Sequence, residues 1–458
     1  MEILENITEN IIEIKTEDVI ELVRADRYVD ARKILVTMNE ADIALLFEEI
    51  PEEKILRVFR MLPKTLAAES FSYMISELQQ FIVESITERE IVSIVDEMFM
   101  DDTVDFLEEM PANVVKKVLK VTDPETRKII NQLLKYPDDS AGSIMTTEYV
   151  DLKKEMTVYD AISHIRATGV DKETINTCYV IDKERHLEGT VSIRKLILSQ
   201  PDEIISDIMI EEPMYIYTHD DQETGAHYFK KYDLLSMPVV DAEKRLVGII
   251  TIDDIVDVIE QETTEDMELM NAVLPSDDEY LKMSVIALAK NRIPWLCVLM
   301  ISGTLSAFVI GMYQDLLDSV VVLSSFMTII TGTGGNAGSQ ASAMIIRGLA
   351  LGEIQMRDTF KVVLKELRVG AICGLILGII NMGRMTFFDK ATPFNIDLTV
   401  SISMGVAVIL AKTLGCALPI IAKAVKLDPA MMAGPLISTV VDAIALVVYF
   451  SIATALIL

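Results

Sequence analysis

The sequence is poor in cysteine, and its first 141 residues contain no glycine. The four cysteines, Cys178, Cys297, Cys373 and Cys416, form no CxxC pair. Neither a disulfide framework nor a thiolate metal site is therefore indicated. The four histidines form no HxxH or HExxH motif, which excludes the common zinc-binding patterns.

Basic residues are also scarce, because 41 Lys and Arg face 71 Asp and Glu. Residues 1–290 hold 62 acidic and 30 basic residues, whereas residues 291–458 hold 9 acidic and 11 basic ones. The net charge of −32 on the first part excludes nucleic acid as a partner, since phosphate binding depends on Lys and Arg. Such a surface favours divalent cations. The unequal distribution of charge between the two parts of the chain indicates more than one domain.

Long apolar runs lie in the second part of the chain. Five of them have roughly the length needed to cross a bilayer: Ile293–Met312, Ser319–Ile346, Val369–Met385, Leu398–Ala422 and Ala430–Leu458. The third is short, and a start as early as residues 362–364 is compatible with its pattern. The sequence therefore predicts a five-helix transmembrane domain over residues 291–458.

The distribution of charge predicts the orientation of these spans. Met1–Ile20 carries acidic residues throughout and lacks the apolar run of a secretory signal. Lys and Arg mark the cytoplasmic side of a membrane protein, and they concentrate in two loops, at Arg347, Arg357, Lys361, Lys365, Arg368, Lys423 and Lys426, against only Arg384 and Lys390 in the others. We expect a cytoplasmic N-terminus and an external C-terminus.

Polar residues within the spans are few and clustered. The second run contains Thr331-Gly-Thr-Gly-Gly-Asn336-Ala-Gly-Ser339-Gln340. Its small residues fit a face that lets helices pack closely. Asn336 and Gln340 are four residues apart and would share a helix face along a water-filled path, and the glycines also permit a broken helix. These interpretations stay open.

Asp442 lies in the fifth run with apolar residues on both sides. A carboxylate at the centre of a membrane helix costs about 3 kcal/mol unless it meets water, a cation or a partner. One interpretation is an ion pair with Lys412, the other mid-span charge, although buried ion pairs give little net stability. The other is an ion path. In a two-fold dimer, two copies of Asp442 would face each other and form a divalent site.

Residues 139–262 contain an internal repeat. Four residues of the first copy recur 59 positions later: Asp182, Gly189, Ser192 and Ile193 match Asp241, Gly248, Thr251 and Ile252. Each copy is predicted to form a strand, a glycine turn, a strand and a helix. The copies, about 139–200 and 201–262, resemble a tandem pair of CBS modules.

The CBS resemblance implies a ligand-sensing regulator, and such pairs commonly bind adenine nucleotides such as ATP. In that pattern an acid three residues after the Ser or Thr holds the ribose. Thr251 and Asp254 fit the pattern, whereas the first copy has Lys195 in place of the acid. At most one good nucleotide site is therefore expected.

Residues 1–138 show the pattern of short helices. Apolar residues recur at three- and four-residue spacing in Ala41–Ile50, Glu53–Leu62 and Thr103–Met110. Helix breaks are predicted at Pro51, Pro63, Pro111 and Pro124. An all-α superhelical, solenoid-like domain is the natural architecture.

Acidic residues form two runs on predicted helix faces. One contains Asp101, Asp102 and Asp105; the other follows a helix predicted from Ile252 to about Val273 and contains Asp254, Asp257, Glu262, Glu265 and Asp266. A solvated acidic face is the usual explanation of such runs. The second run, however, links the repeat to the first apolar run, where cation binding could transmit a domain movement. Carboxylates without nearby His or Cys favour Mg²⁺ or Ca²⁺.

The whole order resembles the MgtE family of magnesium channels. The resemblance rests on Gly-Gly-Asn336-Ala-Gly-Ser-Gln340 in the second run and on Leu427-Asp428-Pro429 followed by Gly434-Pro435 and Asp442 in the last. It covers nearly the whole chain. It implies four parts: an acidic helical N domain (1–138), a CBS pair (139–262), an acidic connecting or plug helix (263–290) and a transmembrane domain (291–458).

By resemblance the protein is no enzyme but a homodimer in a bacterial inner membrane. It would conduct Mg²⁺ down its electrochemical gradient and close when intracellular Mg²⁺ is high. The matching pore positions are Asp442 and Asn336. The matching regulatory positions are Glu69, Asp101, Asp105, Asp221, Glu223, Asp233, Asp254, Asp257, Glu262, Glu265, Asp266 and Asp428.

Two other functions are compatible with parts of the sequence. A CBS-regulated intramembrane metalloprotease would need His or paired carboxylates within the spans, which the sequence lacks. A nucleotide-sensing, ion-coupled carrier for another divalent cation or small solute remains an alternative. Lys412 would repel Mg²⁺ in a conduction path, so we expect it to face a partner carboxylate, a lipid headgroup or another helix.

Overall fold

The computed structural model describes residues 15–276, 280–281, 283–388, 392–432 and 434–457. The chain divides into two compact units, Met1–Val258 and Ile259–Leu458. Predictions that involve Lys390, Leu458 and residues 1–14 lie outside the described residues.

The first unit begins with short helices, as its apolar spacing predicts. Side chains of Asn39, Thr87 and Asp123 cap three of them by accepting backbone N–H groups. The helices are α1 (residues 15–24), α2 (Tyr28–Leu35), α3 (Glu40–Glu49), α4 (Glu52–Phe59), α5 (Lys64–Ser72), α6 (Ser76–Ser85), α7 (Glu88–Val95), α8 (Met100–Glu108), α9 (Ala112–Val121) and α10 (Pro124–Leu133).

The predicted proline breaks mark the starts of helices. Pro51, Pro63 and Pro111 occupy the capping positions of α4, α5 and α9, and Pro124 is the first residue of α10. Proline has no N–H to donate and a fixed φ, so it is tolerated at a helix start and not in the interior.

These helices stack along one hydrophobic core. Helix α3 packs on α5, α5 on α7, and α7 on α9. A row of edge-to-face rings links Phe47, Phe59, Phe71 and Phe106, with ring-centre distances of 6.2, 6.3 and 5.1 Å. The same core includes apolar residues of the second repeat copy, such as Ile250. The solenoid-like stack and the repeat therefore share one interior.

The repeat forms two small sheets with the same pairing. The first has the order β1 (Asp151–Leu152), β2 (Thr177–Ile181), β3 (Leu187–Ser192) and β4 (Ile210–Glu211), and the second has the order β5 (Ile216–Tyr217), β6 (Ser236–Val240) and β7 (Leu246–Thr251). In the antiparallel pairs β2–β3 and β6–β7, Thr177 lies opposite Ser192 and Ser236 opposite Thr251, again 59 residues apart. Helices α11 (Val158–Thr168), α12 (Ile193–Leu198), α13 (Ile205–Ile208) and α14 (Gln222–Tyr232) complete the α/β pair.

The predicted glycine turns are wrong. Gly189 and Gly248 lie inside β3 and β7, and the turns use Arg185 and Lys244 in left-handed conformations, with φ of 71° and 63°. A Cβ atom added at Gly248 would lie 2.5 Å from the carbonyl oxygen of Thr146. The repeated glycines therefore allow another backbone to approach the sheet.

This close approach yields a matched pair of variants. We expect Gly248→Ala to lower the free energy of unfolding by about 3 kcal/mol, because neither backbone can yield easily. Gly225→Ala in α14 is the control, since its Cβ would make ordinary contacts at 3.5 Å and alanine favours the helix by about 1 kcal/mol. Scanning calorimetry compares the two. Equal melting temperatures would contradict the steric explanation.

Helix α15 (Ile252–Met270) begins in the first unit and ends in the second. The prediction of one connecting helix over 263–290 is wrong, because α15 stops at Met270 and the next helix begins at Val285. Ala272 adopts the left-handed conformation with φ of 56°, and Pro275 follows. A left-handed residue and then a proline cannot continue an α-helix.

The second unit consists of long helices. These are α16 (Val285–Met312), α18 (Met327–Ala350), α19 (Thr359–Phe388), α20 (Phe394–Ala424) and α21 (Gly434–Ile457), with a short α17 (Gln314–Ser319). Among the described residues, α16, α20 and the segment Ala430–Ile457 are long and apolar enough to cross a membrane. Helix α18 is rich in Gly, Ser and Thr, and α19 begins with several charged residues.

Two predicted span boundaries need correction. The run predicted to start at Ser319 is broken: α17 ends there, a 3-10 turn covers Val321–Phe326, and α18 starts at Met327. The run Val369–Met385 is only the centre of α19. Its Lys, Glu and Arg residues are good helix formers, so the helix extends beyond its apolar part. Helix α20 packs on α18, α19 and α21.

Candidate functional site

An acidic cluster forms in the first unit between α8 and the start of α15. Asp101, Asp102 and Asp105 lie on α8, and Asp253 and Asp254 lie in the first turn of α15. Repulsion from Asp254 acts on Asp101 and Asp105, and repulsion from Asp253 acts on Asp102. The fold thus brings together two acidic runs that are about 150 residues apart in the sequence.

Two glutamates that sequence reasoning missed complete this cluster. The N–H of Met100 and the hydroxyl of Thr146 each donate to Oε2 of Glu148 at 2.9 Å, which ties the start of α8 to the repeat. Oε2 of Glu173 is buried and has no hydrogen-bond partner among the described residues. Both glutamates stand outside the acidic runs, so their sequence context carries no signal of a shared site.

The cluster holds its carboxyl groups in an unfavourable environment. Asp101 is only 6% exposed, and its Oδ1 accepts the N–H of Asp102 at 3.0 Å. Loss of hydration, followed by repulsion from Asp254 and Glu173, raises the pKa of Asp101 well above its usual range. Burial also raises the pKa of Asp102 to about 6 and that of Glu173 to about 8, each with added repulsion from Asp253.

Asp105 and Asp254 follow the same trend. The side chain of Asp105 is exposed, yet neighbouring protein atoms remove part of its hydration. This loss of hydration, together with repulsion from Asp254, raises the pKa of Asp105. Burial raises the pKa of Asp254 to about 6, although the hydroxyl of Thr251 donates to its Oδ2 at 2.6 Å and opposes that rise. Thr251 and Asp254, which the sequence predicts to hold a nucleotide ribose, are thus joined to each other by a hydrogen bond at the start of α15.

These raised pKa values predict that acid stabilises the metal-free protein. A carboxyl group with a raised folded pKa binds protons more tightly when folded, so the stabilisation is complete below the unfolded pKa near 4 and disappears as pH rises through about 6 to 8. Each tenfold change in proton affinity is worth about 1.4 kcal/mol, and the groups are coupled. We therefore expect the free energy of unfolding to be roughly 3 kcal/mol higher at pH 5 than at pH 8.

Calorimetry of the full-length protein in the presence of a metal chelator measures how its stability depends on pH. The double variant D102N/D254N is expected to show a weaker dependence of stability on pH. Asp202→Asn, which removes an exposed charge, is the control and is expected to leave it unchanged. A protein that becomes more stable from pH 5 to pH 8 would contradict the proposed electrostatic origin.

The other regulatory residues that the resemblance names in the first unit lie on several elements. Glu69 is exposed on α5, where partial loss of hydration and repulsion from Glu40 and Glu97 raise its pKa. Asp221 and Glu223 are exposed at the start of α14, Asp233 ends that helix, and Asp257 lies near Tyr73. Of these, none is among the charges that raise the pKa values of Asp101 and Asp254. Their role as metal ligands stays a prediction.

A smaller acidic cluster lies in the second unit. Burial, then repulsion from Asp428 and Glu265, raises the pKa of Asp266 on α15 to about 6. Oδ1 of Asp428 accepts the N–H of Ala430 at 2.6 Å. Asp428 therefore lies near the acidic face of α15 that contains Glu265 and Asp266, whereas the resemblance groups it with Asp233 and Asp257.

Asp442 lies on α21 where this helix packs on α18. A Cβ atom added at Gly335 would lie 3.4 Å from Oδ1 of Asp442. One and two turns earlier, Ser438 and the carbonyl of Gly434 lie within 3.4 Å of the hydroxyl of Ser339 on α18. These groups form a line of oxygen atoms between α18 and α21. Asn336 and Gln340 are exposed on α18.

The structure resolves two alternatives left open by the sequence. Helix α18 is continuous, and its Gly334 and Gly338 pack against Val441 of α21, so close packing is the role of these glycines and the broken helix is wrong. Asp442 and Lys412 form no ion pair among the described residues. Lys412 instead lies on the side of α20 that meets Gly370 of α19.

Within the described residues, no group of three His, Cys, Asp or Glu side chains is arranged to hold a bare metal ion. The carboxylates are spread along helix faces instead.

Comparisons with known proteins agree with this arrangement. Residues 38–139 match the model of the MgtE intracellular N domain, residues 141–201 and 205–261 match CBS domains, and residues 327–452 match the MgtE divalent cation transporter model. The magnesium transporter MgtE of Thermus thermophilus is 34% identical over 429 residues, which are 93% of this chain and 94% of that protein. The chain belongs to the MgtE family.

A further relative matches nearly the whole chain, and two solved structures match about half of it. The magnesium transporter MgtE of Bacillus subtilis is 31% identical over 96% of both chains. The soluble part of a magnesium transporter covers 55% of this chain and 99% of its own, with 29% identity and a TM-score of 0.52. The cytosolic domain of the Mg²⁺ channel MgtE in complex with ATP covers 52% and 98%, with 34% identity and a TM-score of 0.50. These relatives are transporters, which confirms that the chain is not an enzyme.

Proposed function

We propose that this chain forms a homodimeric channel that admits Mg²⁺ to the cell and closes when cytoplasmic Mg²⁺ is high. The observation that carries the proposal is the line of oxygen atoms between α18 and α21, which ends at Asp442. A carboxylate among apolar helices is expensive unless a cation or water compensates it. The names of the full-length MgtE relatives supply the ion, Mg²⁺.

The proposed path passes the hydrated ion. Mg²⁺ loses its water reluctantly, so the oxygens of Asp442, Ser438 and Gly434 would accept hydrogen bonds from water molecules bound to the ion. Asn336 is exposed on the adjacent helix and would face the same path. Two chains related by a two-fold axis would double these groups around one axis.

The proposed membrane part consists of α16, α18, α19, α20 and α21. Placing the basic loops 347–368 and 423–426 inside puts the N-terminus in the cytoplasm and the C-terminus outside. The acidic first unit would then lie at the inner face of a bacterial inner membrane. The division at residues 1–138, 139–262 and 291–458 remains our proposal for the functional parts.

The proposed gate is electrostatic. Without Mg²⁺ the cluster of Asp101, Asp105 and Asp254 repels itself, and Mg²⁺ would neutralise it and favour the compact arrangement. Reversing a gate from mostly open to mostly closed requires about 5.5 kcal/mol of differential binding. Several shared ions could supply this difference. ATP is a proposed second ligand of the CBS pair, because the similar cytosolic domain was solved with it.

The test is current recording across a bilayer while Mg²⁺ on the cytoplasmic face is varied. A magnesium gradient alone should drive current, and rising cytoplasmic Mg²⁺ should suppress it. Uptake of isotopic Mg²⁺ by liposomes without a proton or sodium gradient is the companion measurement. Uptake that requires such a gradient would reject the channel and favour the ion-coupled carrier.

A further inference from the structure

A groove between α19 and α20 has no place in the proposed conduction path. It encloses about 540 Å³ and is lined by apolar side chains, among them Leu375, Ile379, Leu398 and Ile402. That volume is within the range of sites that hold small molecules, roughly 300–1,000 Å³. The two helices touch at its floor, where a Cβ atom added at Gly374 would lie 2.5 Å from the carbonyl oxygen of Gly405.

A buried lysine continues one wall of this groove. Lys412 is only 7% exposed and makes no hydrogen bond or ion pair among the described residues. Its Cβ lies 3.5 Å from the position of a Cβ added at Gly370, so its side chain leaves α20 toward α19. Lys412 follows Gly405 by seven residues, two helical turns, and therefore lies on the face that lines the groove.

An arginine continues the opposite wall. Arg368 is exposed, precedes Leu375 by seven residues on α19, and also lacks a described partner. The helices run antiparallel, since Gly374 meets Gly405 and Gly370 meets Ile409. Arg368 therefore lies level with Lys412. Glu366, on the adjacent turn of α19, pairs with neither cation among the described residues.

We propose that this groove binds an anionic phospholipid, with one acyl chain between α19 and α20 and the phosphate on Lys412 and Arg368. The proposal rests on the proposed membrane-spanning role of the two helices. Residues 369–383 of α19 carry no charge over about 22 Å, so Arg368 lies at the edge of the apolar part of α19, and Lys412 on α20 is level with it. Basic pockets between helices at that depth on the cytoplasmic side attract anionic headgroups.

The test is native mass spectrometry of the full-length protein in detergent, titrated with phosphatidylglycerol or with phosphatidylcholine of the same acyl chains. The wild type should bind phosphatidylglycerol more tightly than phosphatidylcholine. R368Q/K412Q should bind phosphatidylglycerol roughly 30-fold more weakly. R357Q/K426Q removes the same charge from loops beside the two helices and should bind as the wild type does. Ala371→Phe fills the groove and should weaken binding of both lipids.

Other outcomes would overturn the proposal. These are unchanged binding in R368Q/K412Q, equal affinity for both lipids, or displacement of phosphatidylglycerol by millimolar inorganic phosphate. A lower dimer fraction in Ala371→Phe with lipid binding retained would assign the groove to a second copy of the chain. Lipid binding in detergent requires no conduction, so a protein that binds the lipid but carries no Mg²⁺ current contradicts the proposed function alone.

Discussion

Replacing Asp442 by Asn is expected to reduce Mg²⁺ current at least 30-fold while the protein still folds. The amide keeps the shape of the side chain beside Gly335 but removes the negative charge that holds the hydrated cation. Removing one member of a desolvated charge pair costs about 2–5 kcal/mol, and the lower value corresponds to roughly 30-fold in occupancy. Bilayer current in a magnesium gradient is the measurement.

The control for this variant is Asp318→Asn. It removes the same charge from an exposed position on α17 and should leave the current unchanged. Calorimetry of both variants establishes that they fold, since Asp442 makes no described ion pair whose loss would unfold the protein. Wild-type current in Asp442→Asn would reject the pore role of this carboxylate.

Neutralising Asp254 and Asp257 together is expected to produce a channel that conducts but is no longer inhibited by Mg²⁺ concentrations that close the wild type. Asp254 contributes repulsion to Asp101 and Asp105, and Asp257 lies one turn further along α15. With both charges removed, less repulsion between α8 and α15 is left for Mg²⁺ to neutralise, so Mg²⁺ binding stabilises the closed state less. We expect the cytoplasmic Mg²⁺ concentration for half-inhibition to rise at least about tenfold, as measured from currents at graded Mg²⁺.

A second double variant separates this cluster from the general acidity of the chain. D202N/D207N removes the same charge from exposed positions near the start of the second repeat copy, away from α8 and α15 in the sequence. If the cluster carries the regulation, this variant should close at wild-type Mg²⁺ concentrations. If both double variants lose inhibition equally, overall self-repulsion is the cause and the cluster has no special role.

Much of the fold follows from local pattern. The spacing of apolar residues predicts the short helices because one face of each must enter the core, and the 59-residue displacement predicts two sheets with equal register. Asp442 is identifiable because a lone carboxylate in an apolar run needs a compensating partner. Such features depend on residues close together in the chain or on one exceptional residue.

The parts that sequence reasoning missed depend on tertiary contacts. Glu148 and Glu173 join the acidic cluster only because the repeat packs on α8, which no local pattern encodes. Gly189 and Gly248 match a turn signal, but the approach of another backbone is the reason for their lack of a side chain. The break after Met270 is invisible to hydropathy, although Pro275 is a helix-breaking signal that the prediction of one continuous helix did not use.

The end of α15 lies directly against the start of the helix that contains Asp442. The 19 residues of α15 form a rod about 28 Å long, and a Cβ added at Gly434, the first residue of α21, would lie 2.6 Å from the carbonyl of Met270, the last of α15. Because the backbone of Gly434 is part of this contact, a side chain at position 434 would have to displace one of the two helix ends.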